Sequence, residues 1–319
     1  MILFCGIASE PPVALAIEAA RARKLPHLVF HQRDSHFCDV MVDHQAGRLT
    51  GSLWVHEKEW PLEEFTGVYC RLIETDALPE NRQRGRTQPD RGRVARSFFL
   101  HQALADWIEL AECRVVNRAS AMSSNVSKPY QAQIIANFFP TPITLVTNEP
   151  DEVREFIRLH QRVIYKSISS IRSIVREWSN SDEQNVGKIR SLPTQFQSFV
   201  SGTNVRVHVV GRKVFATEIS SGAVDYRYAQ REGMEVAMRA IDLPDEISRK
   251  CRDLSTILQL PFCGIDLKRT EDGDYYCFEV NPSPAYSYYQ EQTGQPIAAA
   301  LVDYLAGTDK EDDDGCSGR

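Results

Sequence analysis

The most constraining feature of the chain is a pair of β-rich segments near its C-terminus, Gly264–Lys268 and Tyr276–Asn281. Both contain the β-branched and aromatic residues that are enriched in strands. Between them lies the dipeptide Asp272-Gly273, a strong signal for a tight turn. The sequence therefore predicts an antiparallel hairpin whose turn is centred on Asp272 and Gly273.

The predicted hairpin brings three oxygen-bearing side chains onto one patch of sheet. A turn centred in this way places Asp266 opposite Glu279, and Asn281, two residues further along, lies on the same face. Opposed like charges destabilise a sheet, so the pair favours a bound cation. Oxygen ligands suit a hard ion such as Mg²⁺. We therefore predict metal ligation by Asp266, Glu279 and Asn281; the alternative is a solvated face with scattered acidic residues.

The composition is that of an enzyme-sized globular protein. The 319 residues are 42% hydrophobic and 25% charged, which are ordinary values. A net charge of -6 argues against general affinity for nucleic acid. The eight cysteines include no C-x-x-C pair, which favours reduced thiols over disulfides or zinc. The N-terminus lacks a basic leader, and no segment approaches the roughly 18 apolar residues of a membrane span. These features predict a cytoplasmic protein.

The first third of the chain predicts a small α/β domain, residues 1–118. We predict strands at residues 2–7, 27–31, 67–70 and 115–117, and helices at residues 11–22 and 97–112. The order strand, helix, strand indicates a βαβ unit with a partly parallel sheet. No G-x-G-x-x-G follows the first strand, so the dinucleotide-binding fingerprint is absent.

The remaining chain predicts two further β-rich regions. We predict helices at residues 125–139, 150–160, 244–258 and 296–305, and strands at residues 143–146, 163–166, 205–210 and 213–219. From Thr194 onward β character dominates, so we place a boundary there and divide this part into residues 119–193 and 194–307. The acidic residues 308–319 predict a disordered tail.

Four segments precede the hairpin in a specific order. Their cationic residues are Lys128, Lys166, Arg206 and Arg227. Lys166 ends a strand before a loop of small residues, whose backbone N–H groups can bind phosphate. The segment Gln195–Val200 is typical of an extended linker whose backbone can contact a purine. Each segment alone is weak evidence for a functional site, because a single Lys or Arg is more often a solvated surface residue. Their order before the hairpin makes the combined pattern strong evidence.

With these motifs the chain resembles the ATP-grasp superfamily, and within it the RimK-like ligases, over about residues 115–307. The matching segments include Asn204-Val205-Arg206, Asp225-Tyr226-Arg227, Gly264-Ile265-Asp266 and Glu279–Ser283. The resemblance implies an α+β ATP-grasp fold, with two β-rich lobes that clamp ATP, preceded by a Rossmann-like α/β domain. The run Thr293–Ile297 is also similar to the peptide-modifying maturases of this group.

The resemblance implies roles for individual residues. Arg206 and Arg227 are the implied catalytic residues beside the γ-phosphate and the acyl group. ATP and one or two Mg²⁺ ions, replaceable by Mn²⁺, are the implied cofactors. The implied nucleotide-binding residues are Lys128, Lys166, Gln197, Ser198, Phe199, Val200 and Asn204. Ser198 and Asn204 depart from the family, which commonly has Glu and Asp there, and the loop after Lys166 lacks the usual glycines.

The implied activity is an ATP- and Mg²⁺-dependent carboxylate–amine ligation through an acyl phosphate on an amino acid, peptide or peptide segment. Two alternatives are a kinase on the same scaffold and a nucleotide-binding regulator without turnover. The expected partners are a carboxylate and an amine substrate, without nucleic acid or membrane, and a homodimer is left open. His208, two residues from Arg206, is either a base for the amine or, as we favour, a structural neighbour.

An arginine-rich segment lies outside these motifs. Six arginines occur between Arg82 and Arg96 in a chain of net charge -6. The segment is either a solvated loop, which we favour, or an electropositive flap that attracts an anionic substrate or an acidic peptide. The absence of aromatic residues within it disfavours a role in nucleic-acid stacking.

Overall fold

The computed structural model describes residues 1–45, 47–81, 90–168, 175–221 and 235–309. Within these residues the chain forms four β-sheets, of four, four, five and three strands. Short 3₁₀ helices connect them at Gln32–Phe37, Leu62–Glu64, Thr75–Ala77, Pro79–Asn81, Ser123–Asn125 and Glu183–Ser191.

The N-terminal region contains a fully parallel sheet. Its elements, with an inserted sheet, are β1 (Ile2–Gly6), α1 (Pro11–Ala22), β2 (His27–His31), β3 (Cys38–Gln45), β4 (Arg48–Val55), β5 (Lys58–Pro61), β6 (Gly67–Cys70), α2 (Arg91–Leu110) and β7 (Arg114–Val116). The parallel strands follow the order β2-β1-β6-β7. The predicted βαβ unit is therefore present, with proline in the first turn of α1 as expected.

Two features of this region differ from the sequence prediction. The antiparallel sheet β3-β4-β5 was not predicted. His56 and Glu57 between β4 and β5 have φ angles of +49° and +65°, a conformation that Asn-Gly would have signalled. Helix α2 begins six residues earlier than predicted because the Asp90 side chain caps it, accepting a hydrogen bond from the Gly92 amide at 2.9 Å.

The middle of the chain forms a small antiparallel sheet. Its elements are α3 (Ala119–Met122), α4 (Lys128–Ile135), β8 (Thr144–Thr147), α5 (Pro150–His160), β9 (Val163–Ser167), β10 (Arg176–Glu177) and β11 (Thr194–Ser198). The strand order is β10-β9-β11-β8. Strand β11, which begins at Thr194, pairs with both β8 and β9 and so belongs to the same sheet. Ile135 and Phe139 instead pack into the core of the next sheet.

The large sheet follows. Its elements are β12 (Thr203–Val210), β13 (Lys213–Ser221), β14 (Val236–Ile241), α6 (Asp245–Ile257), β15 (Phe262–Arg269), β16 (Tyr275–Asn281), α7 (Ser287–Thr293) and α8 (Ile297–Ala306). The antiparallel order is β14-β13-β12-β15-β16. One face packs on α4 and α6 through a buried cluster that includes Val207, Leu254 and Ile265. Strand β14 and helix α7 were not predicted.

Helix α8 joins the large sheet to the N-terminal domain. Its buried residues Leu301 and Leu305 share one core with Phe4, Ile17 and Phe262. Gly307, with φ +74°, ends the helix as predicted. This shared core fixes the parallel sheet next to the hairpin that carries the predicted metal ligands.

Two expectations from the sequence concern membranes and the tail. Among the described helices, none combines the length and apolar character needed to cross a bilayer. Of the predicted tail, residues 310–319 lie outside the described part of the chain.

Candidate active site

The large sheet carries a row of charged residues across three neighbouring strands. Arg206 on β12 pairs with Asp266 on β15, which pairs with Glu279 on β16. Directly paired residues of antiparallel strands point to the same face. The Arg206 Nη1 donates to Asp266 Oδ1 at 2.6 Å, and the guanidinium-bearing side chain is only 6% exposed. The sheet therefore holds one cation beside two opposed carboxylates.

The predicted pairing of Asp266 with Glu279 is confirmed, but the turn lies slightly elsewhere. The Thr270 amide donates to the Asp274 carbonyl at 2.9 Å, which centres the turn on Asp272 alone. A β-bulge then changes the register beside Asp266, so that Phe278 is an extra residue in β16. The bulge restores the pairing that the simpler turn would have given.

Asn281 completes the predicted ligand set. It pairs with Gly264, on the same face of the sheet as Glu279. Its Oδ1 accepts a hydrogen bond from the Ser283 amide at 2.9 Å, which leaves a second lone pair for a ligand. Arg206 neutralises only one of the two carboxylates, and all the donors are oxygens. The residues therefore fit a hard divalent cation.

Gly264 has a structural role that the sequence did not reveal. A Cβ at this position would overlap the Nη2 of Arg206. The guanidinium therefore lies across the strand where only glycine leaves room for it. The glycine and the arginine form one unit with Asp266.

His208 lies one row further along β12, opposite Gly264. It is fully buried, neither ring nitrogen has a hydrogen-bond partner among the described residues, and its ring packs on Tyr289 with centroids 4.9 Å apart. Burial, with Arg206 adding, holds the pKa of His208 well below its ordinary value. These contacts support the structural role over the role of a base.

The small sheet presents a different group of polar side chains. Lys166 on β9 pairs with Gln195 on β11, and Gln197 lies two residues further on the same face. All three are at most 8% exposed. The Gln197 Nε2 donates to Thr144 Oγ1 at 2.9 Å, whereas the buried Oε1 atoms of both glutamines accept no hydrogen bond from the residues that the structure describes. This face combines a lysine with buried acceptors.

The predicted linker, Gln195–Val200, is part of β11 as far as Ser198, and only Phe199 and Val200 follow the strand. The Ser198 Oγ accepts a hydrogen bond from the Ile143 amide at 3.1 Å, and the Phe199 amide donates to the Arg162 carbonyl at 2.9 Å. The Phe199 ring lies 3.6 Å from the Arg162 guanidinium carbon and 5.3 Å from Lys268 Nζ. The Ser198 hydroxyl and the Phe199 amide, which were predicted to contact the nucleotide, therefore already form hydrogen bonds within the protein. The Phe199 ring lies between Arg162, next to the small sheet, and Lys268 of the large sheet.

Lys128 is the first residue of α4. Three residues later, Gln131 forms two hydrogen bonds with the backbone of Val280 in β16. Its Nε2 donates to the Val280 carbonyl and its Oε1 accepts from the Val280 amide, both at 2.9 Å. The helix that carries Lys128 is therefore fixed to the strand that carries Glu279 and Asn281.

The structure brings most of the predicted site residues onto two faces. On the large sheet, Asn204 pairs with Lys268, on the same side as Arg206 two residues away. Arg227 and the Asp225-Tyr226 segment lie outside the described residues, as do positions 169–174 after Lys166. Gln131 was not among the predicted site residues, and Gln195 was predicted only as the first residue of the linker, because no local pattern distinguishes these side chains from surface amides.

Comparisons with known proteins agree with this geometry. Residues 128–305 match the model of the RimK-like ATP-grasp domain. A probable alpha-L-glutamate ligase of Psychromonas ingrahamii is 25% identical over 256 residues, which cover 75% of this chain and 83% of that protein. Two solved structures are similar over nearly the whole chain.

The first solved structure is a RiPP-associated ATP-grasp ligase of Chryseobacterium gregarium in complex with ADP and a leader and core peptide. It has a TM-score of 0.80, 20% sequence identity and coverage of 97% of both chains. The second is the ATP-grasp ligase PsnB complexed with minimal precursor, Mg and ADP, with a TM-score of 0.76, 25% identity and the same coverage. The predicted fold is confirmed, and the chain belongs to the RimK-like ATP-grasp family.

Proposed function

We propose that this protein is an ATP- and Mg²⁺-dependent ligase that joins a carboxylate to an amine, and that the carboxylate belongs to a peptide. The observation that carries the proposal is the row Arg206, Asp266 and Glu279, with Asn281 on the same face. The relatives named as glutamate ligases and the solved ligases with bound peptides support the class of reaction and the peptide substrate.

The two sheets would divide the binding of ATP. Lys166 and Lys128 would contact the phosphates, and Gln197 would line the nucleotide site with Asn204. Because the Phe199 amide is already used by Arg162, we assign the adenine contacts to the Phe199 carbonyl and the Val200 amide. The Ser198 hydroxyl supports the linker through Ile143 rather than the nucleotide.

Asp266, Glu279 and Asn281 would hold the metal. A bound Mg²⁺ neutralises charge on the transferring phosphoryl group. Arg206 donates a hydrogen bond to Asp266, and its guanidinium packs against Gly264, where no side chain is in the way. The guanidinium is therefore positioned before substrate arrives. We assign it, with Arg227, to the charge that develops on the phosphoryl and acyl oxygens.

The reaction needs no side-chain nucleophile. A substrate carboxylate oxygen attacks the γ-phosphorus, the bond to the bridging oxygen of ADP breaks, and an acyl phosphate forms. The amine nitrogen then attacks the acyl carbon, loses a proton and displaces phosphate. The net products are an amide, ADP, phosphate and a proton.

The finer predictions also belong to this proposal. We keep a cytoplasmic location and the boundaries at residues 118 and 307 as predictions, and a homodimer stays open. We propose to move the boundary predicted at residue 193 to a position after β11, because β11 pairs with β8 and β9.

A substrate panel tests the proposed function. Release of ADP and phosphate is measured against amino acids, acidic peptides and amines, with mass spectrometry of the products. The expected result is a product whose mass is the sum of the acid and the amine less one water for each bond formed, with stoichiometric ADP and phosphate. A phosphorylated product without free phosphate would indicate a kinase, and nucleotide binding without turnover would indicate a regulator.

A further inference from the structure

The residues around the last metal ligand are held by side chains from three other elements. The segment Val280–Ser283, which contains the last predicted ligand Asn281 and the two residues after it, is called the metal loop. The side-chain amide of Gln131 of α4 forms hydrogen bonds with both the carbonyl and the amide of Val280. Asn117, which follows β7, donates from its Nδ2 to the Pro282 carbonyl at 2.5 Å and to the Phe262 carbonyl at 2.6 Å. Gln131 and Asn117 are 2% and 3% exposed, so both are fixed parts of the interior.

The third contact comes from the parallel sheet of the N-terminal domain. Arg71 directly follows β6, and its Nη1 donates to the Ser283 Oγ at 2.7 Å. Its Nε and Nη2 donate to the Glu10 carboxylate at 3.1 and 2.5 Å. The Ser283 amide in turn donates to Asn281 Oδ1 at 2.9 Å. A continuous path of hydrogen bonds therefore joins Glu10 to a predicted metal ligand.

We propose that Arg71 is a positioning residue for the metal site, acting on Asn281 through Ser283. The inference rests on the proposed function, because it takes Asn281 to be a ligand. An asparagine amide rotates about its last side-chain bond, and the Ser283 amide fixes which lone pair of Oδ1 faces the carboxylates. The location of that amide is set by the Ser283 hydroxyl, which Arg71 holds.

The physical consequence is that the N-terminal domain completes the metal site without contributing a ligand. Partners of this outer kind orient ligands, and their removal typically lowers metal affinity about 10- to 100-fold. Arg71 suits the role because its own orientation is fixed: the side chain is 12% exposed and holds Glu10 by two nitrogens.

The test compares two double variants that each remove one ion pair: Arg71 with Glu10 inside the N-terminal domain, together with the hydrogen bond from Arg71 to Ser283, and Arg23 with Asp303 as the control. The first is Arg71→Met with Glu10→Gln. The matched control is Arg23→Met with Asp303→Asn, which removes a bidentate pair, with distances of 2.6 and 3.3 Å, between the residue that follows α1 and a residue of α8. Mn²⁺ is titrated in the presence of ADP, and free Mn²⁺ is measured by electron paramagnetic resonance.

We expect the Arg71 pair to weaken Mn²⁺ binding about tenfold, and the Arg23 pair to leave it within about twofold while losing similar stability. Ser283→Ala should weaken binding as the Arg71 pair does. Ser283→Thr should restore it, because the hydroxyl is kept and the exposed position has room for a methyl group.

Two results overturn the inference. Equal Mn²⁺ affinity in Ser283→Ala and the wild type would do so, as would an equal loss in the Arg23 control, which would indicate general loosening of the domains. A wild-type protein that binds no Mn²⁺ with ADP would instead defeat the proposed function, and the inference with it.

Discussion

The two sheets that carry the predicted site differ in how their polar side chains are satisfied. On the large sheet, Arg206, Asp266 and Glu279 are charged and partly neutralise one another, with a hydrogen bond of 2.6 Å between the first two. On the small sheet, Gln195 and Gln197 are uncharged, and their buried acceptor oxygens have no hydrogen-bond partner in the described part of the chain. Buried acceptors of this kind are costly unless a ligand or water satisfies them.

The difference indicates a division of labour. Charges fixed before substrate arrives are suited to stabilising a phosphoryl transfer, whereas uncharged acceptors beside a lysine are suited to recognising a nucleotide. Variants on the large sheet should therefore reduce turnover more than nucleotide binding, and variants on the small sheet should do the reverse.

The largest effect is expected at Glu279. We expect Glu279→Ala to reduce turnover about a thousandfold or more, because the metal loses a ligand. The same loss is expected for Asp266→Ala and Asn281→Ala, which remove the other two predicted ligands. Glu279→Gln is compared with Glu218→Gln, which removes a carboxylate from the opposite face of the same sheet, where it pairs with Arg239 and Arg269. ADP release near the wild-type rate in a Glu279 variant would contradict the metal assignment.

A smaller loss of turnover is expected from Gly264→Ala. The added Cβ would displace the Arg206 guanidinium, and removal of one positioned charge typically costs about a hundredfold in kcat. Binding of ADP, measured by calorimetry, should stay close to that of the wild type. Gly187→Ala is the control, because its Cβ would meet nothing within 4 Å. Weakened ADP binding with unchanged turnover would reverse the proposed division between the sheets.

On the small sheet, Lys166→Ala should weaken the binding of the nucleotide. ATP with Mg²⁺ is expected to raise the melting temperature of the wild type by mass action on the folded state. Loss of the buried ammonium should weaken nucleotide binding about tenfold, or about 1.4 kcal/mol, and remove most of that rise. Lys213→Ala, at an exposed position of β13, is the control. An unchanged rise in the Lys166 variant would place the phosphate site elsewhere.

The smallest effect is expected outside both sheets. Arg82, Arg84 and Arg86 lie outside the described residues, while Arg96 of α2 donates to Asp39 at 2.9 Å. Replacing the first three by Gln should raise the KM for the acid substrate about two- to threefold at low salt, since steering of anions is screened over about 10 Å at 0.1 M. The KM for ATP should not change. Identical kinetics at low salt would favour the solvated loop.

Local patterns in the sequence were sufficient for many elements. The helices Pro11–Ala22 and Pro150–His160 have the predicted bounds, and the central hairpin of β12 and β13 turns at Gly211 as expected. Proline at a helix start and alternation along a strand act over a few residues, so they can be read without knowing the fold. The sheet β3-β4-β5 escaped because His56 and Glu57 adopt turn angles that their residue types do not signal.

By itself, the sequence determined that Glu279 and Asn281 share a face, because side chains alternate along a strand. The pairing of Asp266 with Glu279 depended also on the β-bulge at Phe278, which compensates for the different turn. Only the tertiary structure decided how that face is held. Gln131, Asn117 and Arg71 reach the metal loop across sequence separations of 149, 165 and 212 residues, and Gly264 matters only because Arg206 packs over it. Such contacts depend on the packing of distant elements, which a local sequence pattern does not encode.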